Sequence, residues 1–240
     1  MSMTRVLIGC PTYSGKNYCI KRFLERLAII KKEHDVLFVD NSDDDSHSEI
    51  IHAAGFEVIK TKKDVDLIAT IINNRQKIID RVLERNYDYL LFLDTDIIPP
   101  EDVIIRLLSH KKYIVTGVYP GLMKIQGKVR IAPVIYEFSQ KKDYFKPIAI
   151  NAVLDDEFKE IAACGFGCVL ISKRVLEKVR LRYNKELGSG EDIPFCRDAR
   201  ELCGFQTFVD TSIKCTHVQK DRDLDFPAGV ASFSVTYDLE

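Results

Sequence analysis

The sequence predicts an α/β fold with a mostly parallel central sheet, helices on both faces and a small antiparallel extension. Three observations lead there. Strand-like apolar runs alternate with helical periodicity through the first half of the chain, the pattern of βαβ units. Tyr89-Leu90-Leu91-Phe92-Leu93 is continuously apolar, as a parallel strand buried on both faces must be. Later, Tyr113 to Val118, Arg130 to Phe138 and Ile148 to Leu154 read as strands with no helical pattern between them, which implies antiparallel pairing.

Taken in order, Val6 to Cys10 is the first strand, closed by Pro11. Ile20, Phe23, Leu24, Leu27 and Ile30 then recur at helical spacing, so a helix buries that stripe. Val36 to Val39 is the second strand and ends on Asp40. The oxygen-rich segment Asn41 to Ser46 suits a loop that opens a short helix. Phe56 to Ile59 reads as a third strand, and Ile68, Ile71, Ile72, Ile78, Ile79, Val82 and Leu83 mark a long amphipathic helix. After Asp94, Pro99-Pro100 stops the chain, and Glu101 and Asp102 sit where a new helix favours negative charge. Gly167 to Ser172 is a strong late strand, followed by helices near 175–179 and 195–202 and a short strand at Phe208-Val209-Asp210. The organisation expected is one domain over 1–220, divided near 110, and a tail from 221 to 240.

Composition narrows the function. The 240 residues are 46% apolar, enough for a substantial core, and the formal charge of -1 offers no cationic surface for nucleic acid. No apolar run approaches the roughly 20 residues of a membrane span, and the N-terminus lacks a secretion signal. Seven cysteines without a Cys-x-x-Cys pair read as reduced thiols, which suggests a cytoplasmic protein, at most peripheral to a membrane. Cys164 and Cys168 lack the neighbouring ligands of a closed zinc site.

The chemistry concentrates at Asp94-Thr95-Asp96. Two acids at alternate positions after a buried strand lie at the edge where open α/β sheets bind ligands, and period-two geometry puts both on one side. Such oxygens suit Mg²⁺ or Mn²⁺. Two unit charges about 4 Å apart interact by roughly 4 kcal/mol at an effective dielectric near 20. Bare acids would therefore repel a departing diphosphate unless a cation stood between them. The plain alternative is that both acids cap the following turn.

These motifs, together with Cys10-Pro11-Thr12-Tyr13, Val39-Asp40-Asn41-Ser42 and Asn73-Asn74-Arg75, resemble those of the GT-A glycosyltransferases, especially the family-2-like enzymes, with their Rossmann-like nucleotide-binding fold. The resemblance covers most of residues 4 to 220 and implies a nucleotide-binding half over about 1–110 and an acceptor-binding half over about 111–220. It implies that Pro11, Thr12, Tyr13, Asp40, Asn73, Arg75, Asp94 and Thr95 contact the nucleotide and that Asp94, Asp96 and His217 serve a Mn²⁺ or Mg²⁺ ion. It also implies that Gly165, Phe166 and Gly167 line the sugar and acceptor cleft, glycine allowing close approach of backbone to ligand. Gly188-Ser189-Gly190-Glu191-Asp192 resembles the acidic motif that carries the general base, with Asp192 as the base and Glu191 its substitute; Ser189 and Asp192 also form a capping-box-like pair. An Asp192 base belongs to inverting relatives and a C-terminal metal histidine is commoner among retaining ones, so stereochemistry stays open. The partners implied are a UDP- or GDP-sugar donor and a glycan, lipid-linked or protein acceptor, with a homodimer allowed; the activity would be hexosyltransferase-like. Two competing readings are a phosphohydrolase with Asp94 as nucleophile and a non-catalytic nucleotide-sugar-binding module.

Overall fold

The computed structural model describes residues 4–125, 127–139, 145–184 and 190–226, and the backbone of Thr236–Tyr237. The first half alternates β1 (Val6–Thr12), α1 (Ile20–Ile30), β2 (Asp35–Asp40), α2 (Ser46–Ala53), β3 (Glu57–Lys60), α3 (Leu67–Glu84) and β4 (Tyr89–Leu93). There follow β5 (Ile97–Ile98), α4 (Val103–Ser109), β6 (Ile114–Val118), β7 (Pro120–Ile125), β8 (Lys128–Pro133), β9 (Ile135–Phe138), β10 (Phe145–Pro147), β11 (Phe158–Ile161), β12 (Ala163–Cys164) and β13 (Cys168–Ser172). The chain continues with α5 (Lys173–Leu176), α6 (Asp192–Cys203), β14 (Thr207–Lys214), β15 (Thr216–Val218), β16 (Asp223–Leu224) and β17 (Thr236–Tyr237).

The main sheet runs β11-β14-β6-β13-β4-β1-β2-β3. It is parallel from β4 through β3 and between β14 and β6, while β13 enters antiparallel to both of its neighbours. Both faces are buried, and adjacent residues serve opposite faces. Leu7, Leu90 and Phe92 pack with Ile78, Ile79 and Val82 of α3 on one side. Val6, Ile8, Leu91 and Leu93 pack with Phe23, Leu24 and Leu27 of α1 on the other. This two-sided burial explains why β4 is written without a polar residue between Leu90 and Leu93. It also fixes the strand's C-terminal end, where Asp94 begins.

Several expectations are corrected. Pro11 does not close β1, which continues to Thr12 with Pro11 opposite Val39. Pairing with β4 stops at Gly9 opposite Phe92, so the missing proline N–H breaks no ladder on that side. The run 148–154 forms a 3₁₀ turn at Ile150–Val153 instead of a strand, because only Ile148 and Val153 are buried and their spacing does not alternate. The run 130–138 is split after Pro133, where Val134 donates to the Tyr119 carbonyl. A strand at Pro120–Ile125 was not foreseen; it pairs along its whole length with β8. In the tail, the backbone of Thr236 and Tyr237 pairs with Arg130 and Val129.

Candidate active site

A cleft of about 790 Å³ opens at the C-terminal ends of β1, β2 and β4, walled by Pro11, Thr12, Tyr13, Arg75 and the Asp94-Thr95-Asp96 turn. The turn is short. Asp94 N–H donates to the Gly167 carbonyl and Ile97 N–H returns to the Asp94 carbonyl, both near 3 Å (3.0 and 2.9 Å). Thr95 is buried, and its hydroxyl lies 3.2 Å from that of Thr12, which also meets His47 Nε2 at 2.9 Å. Thr12 and Thr95 thus brace the β1 and β4 loops against each other.

Asp96 gathers two partners on one oxygen. Lys16 Nζ pairs with Oδ2, and His217 Nε2 lies 3.2 Å from the same atom. Burial pushes the Asp96 carboxyl up, but the His217 hydrogen bond and the Lys16 charge outweigh it and hold the group below the usual carboxylate range. The reverse contest occurs at His217: burial lowers its pKa, Asp96 raises it, and the net is upward. His217 Nδ1 donates to the Pro120 carbonyl at 2.8 Å, and Nε2, which faces Asp96 and also meets Gln219 Nε2 at 2.9 Å, donates to the carboxylate when the ring is protonated. That is the orientation in which a histidine ligates a metal while its other nitrogen is held by a carbonyl.

Asp94 turns the other way. Its Oδ1 accepts from Arg75 Nη2 at 2.9 Å, and Arg75 Nε lies 2.8 Å from Glu191 Oε1. The contact at Nε is an ion pair without an aligned hydrogen bond. The guanidinium also donates to the Phe166 carbonyl and stands over the Phe92 and Phe166 rings, 5.0 and 5.4 Å from their centroids. Arg75 is therefore no solvated helical arginine. Desolvation raises the Asp94 carboxyl, Asp96 adds to that, and Arg75 opposes it.

Glu191 is buried against Arg75, and Asp192 opens α6 with its Oδ1 accepting the Ile193 N–H at 2.8 Å. Burial first and the Glu191 charge second lift the Asp192 carboxyl to about 6, with the Ile193 N–H and Arg75 opposing. Asp192 is within the electrostatic reach of Tyr119, which lines the cleft, and of Tyr136. Gly188 and Ser189, the preceding part of the acidic motif and of the capping-box pair, lie outside the described residues.

Three sequence expectations are placed differently from the way the resemblance suggests. Asp40 is fully buried beneath the cleft, accepting from Ser42 N–H at 2.9 Å and pairing with Lys60 Nζ at 3.0 Å. Asn41 reaches the wall in its stead. Asn73 donates to Asp64 at 3.2 Å and lines a neighbouring groove with Ser42 and Lys60, whereas Asn74 lines the cleft and donates to Asn41 Oδ1 at 2.7 Å. Gly165 and Gly167 press against the Tyr119 ring: a Cβ at Gly165 would lie 2.2 Å from the phenol oxygen, and the Gly167 N–H donates to it at 3.1 Å. Phe166 is buried, stacked on Phe92 and edge-on to Phe195. This segment supports the cleft from behind.

Sequence reasoning missed Lys16, Tyr119 and Asn74. Lys16 carried a usable signal, a cation four residues after Thr12 at the ligand-binding edge. Tyr119 carried none beyond the two glycines that make room for it. All seven cysteines are free thiols, and among the described residues no group of three or more His, Cys, Asp or Glu side chains closes a metal site.

Comparison with known proteins bears on this geometry. The family described as "Glycosyl transferase family 2" matches residues 8–180. Among solved structures, A197 from STIV is 18% identical with a TM-score of 0.51, over 96% of this chain and 98% of that one. GalNAc-T7, solved with UDP, GalNAc and Mn²⁺, is 10% identical with a TM-score of 0.63, over 90% of this chain and 44% of that one. S. aureus TarS in complex with UDP-GlcNAc is 14% identical with a TM-score of 0.50, over 87% of this chain and 56% of that one. The chain thus spans about half the length of the last two, and at these identities the likeness is one of fold. Among curated proteins none matches. With the family match spanning residues 8–180 and the mainly parallel sheet ending in the Asp94 and Asp96 turn, the chain belongs to glycosyl transferase family 2.

Proposed function

We propose that the chain transfers a sugar from a nucleotide-sugar donor, UDP-linked in preference to GDP-linked, to an acceptor hydroxyl, with a divalent cation at Asp96 and His217. One observation carries the reading: Asp96 and His217 converge at the ligand-binding edge, with the His217 Nδ1 anchored on Pro120 so that Nε2 faces the acid. The UDP present in the GalNAc-T7 and TarS complexes supports the choice of nucleotide. One hard oxygen from Asp96 and one imidazole nitrogen from His217 would hold Mn²⁺ better than Mg²⁺, which prefers oxygen ligands, while Asp94 is engaged by Arg75. When bound, the cation would offset the charge of the departing diphosphate.

The chain's own residues do the rest. Pro11, Thr12, Tyr13, Asn41 and Asn74 would hold the nucleoside, and Lys16 and Arg75 add positive charge on either side of the phosphates. Asp192 takes the proton of the acceptor hydroxyl as it attacks the sugar. A carboxyl near 6 is ionised at neutral pH yet a stronger base than an ordinary aspartate. Glu191, tied to Arg75, serves as a counter-ion. An aspartyl-phosphate route is disfavoured because the Asp94 oxygen is engaged by Arg75. Donor turnover by Asp96→Ala across a panel of UDP-sugars with Mn²⁺ tests the proposal: turnover falls to background with the melting temperature kept, and undiminished turnover would refute it.

A further inference from the structure

Lys16 and Asp96 form an ion pair at the edge of the cleft whose purpose the proposed chemistry leaves open. Lys16 ends the short 3₁₀ turn Ser14–Lys16, and its side chain, 25% exposed, reaches across the cleft to an acid whose side chain is 9% exposed. The ammonium takes Oδ2, the same oxygen that His217 Nε2 approaches. Ser14 N–H is tied to Ser42 Oγ at 2.7 Å, so the turn is anchored while the four-carbon stem beyond it is not. A divalent cation on that oxygen and an ammonium touching it would repel each other strongly, since both are positive and neither is in bulk water. The two occupancies of Asp96 exclude one another.

We propose that Lys16 is a resident stand-in for the cation: it neutralises Asp96 when no cation is bound there and moves onto the donor's phosphate oxygens when a divalent cation takes Asp96. The inference rests on the function proposed above. It gives the site an ordered logic. Without nucleotide, a cation must displace Lys16 and leave its charge unpaired, so the cation binds weakly alone. With a diphosphate present, the displaced ammonium has a new anionic partner, and cation and nucleotide reinforce each other's binding by reciprocal coupling. A lysine suits this exchange better than an arginine, being a compact charge on a flexible stem without a planar fork to align.

The test is a pair of binding titrations on the full chain, Mn²⁺ alone followed by electron paramagnetic resonance and UDP at saturating Mn²⁺ followed by calorimetry, for wild type, Lys16→Met and Asp96→Asn. Lys16→Met is expected to bind Mn²⁺ alone about tenfold more tightly than wild type and UDP in saturating Mn²⁺ about tenfold more weakly, so that the coupling between the two ligands collapses. Unchanged or weakened binding of Mn²⁺ alone, or no detectable binding to either protein, overturns the proposal, as does unchanged affinity for UDP. Asp96→Asn separates the two levels. If it binds Mn²⁺ and UDP as wild type does, the cation site itself is misassigned; if it binds neither while Lys16→Met behaves as wild type, only the exchange is wrong.

Discussion

Arg75 Nε stands 2.8 Å from Glu191 Oε1 while Nη2 of the same guanidinium holds Asp94 at 2.9 Å. One buried cation on α3 thus ties Asp94, the acid after β4, to the residue before Asp192. The N-terminal end of α6 is located by the Asp94 turn.

Removing that cation leaves buried Glu191 without a partner, a situation that costs about 3–5 kcal/mol. Arg75→Met is expected to lose that much in denaturant unfolding. In the double variant with Glu191→Gln the loss should be clearly smaller than the sum of the single losses. Additive losses would show that the two side chains are not coupled.

Asp192 ties stability to pH with a definite sign. Its folded carboxyl titrates at about 6 against an ordinary value of 3.8, so between those values the folded chain holds a proton that the unfolded chain has released. The group's contribution is complete below about pH 4 and is lost as pH rises through 6. Asp192→Asn should therefore be the more stable protein at pH 7, by on the order of 2 kcal/mol, with the gap closing towards pH 4. Its transfer rate should fall at least 100-fold, in the range typical for loss of a general base. Thermal unfolding from pH 4 to 8 and turnover at pH 7.5 check both halves.

The glycines behind the cleft make a packing prediction. Gly165→Ala would put a methyl group 2.2 Å from the Tyr119 phenol oxygen, too close without displacing the ring, and overpacking of this kind costs about 1–3 kcal/mol. Adding Tyr119→Phe removes the obstructing oxygen, so the double variant should recover part of the stability lost by Gly165→Ala. Urea midpoints of the three proteins decide this.

The legibility of this fold was uneven for physical reasons. α1 buries Ile20, Phe23, Leu24, Leu27 and Ile30, the stripe its periodicity announced, and β4 shows both-face burial in its composition. The turn at Asp94 to Asp96 follows directly from where β4 stops. What a single sequence does not show is which polar residues are turned inward. Asp40 and Arg75 are both read as ligand contacts from the motifs around them, yet Asp40 is buried under the cleft with Lys60, while Arg75 reaches the cleft wall with its guanidinium held by Asp94 and Glu191 and set against the stacked Phe92 and Phe166 rings. Those fates depend on partners 20 to 116 positions away, and no local pattern records them. Asn73 and Asn74 differ by one helical step of about 100°, which decides that only Asn74 lines the cleft at the Asp94 turn.

Whether Asp96 and His217 hold a divalent cation against the donor's diphosphate is decided by diffraction at the manganese absorption edge from crystals grown with UDP and Mn²⁺. One anomalous peak is expected in contact with Asp96 Oδ2, His217 Nε2 and diphosphate oxygens, with the Lys16 ammonium moved off Asp96. UDP bound in the cleft with no such peak, and Lys16 still paired with Asp96, would contradict that assignment.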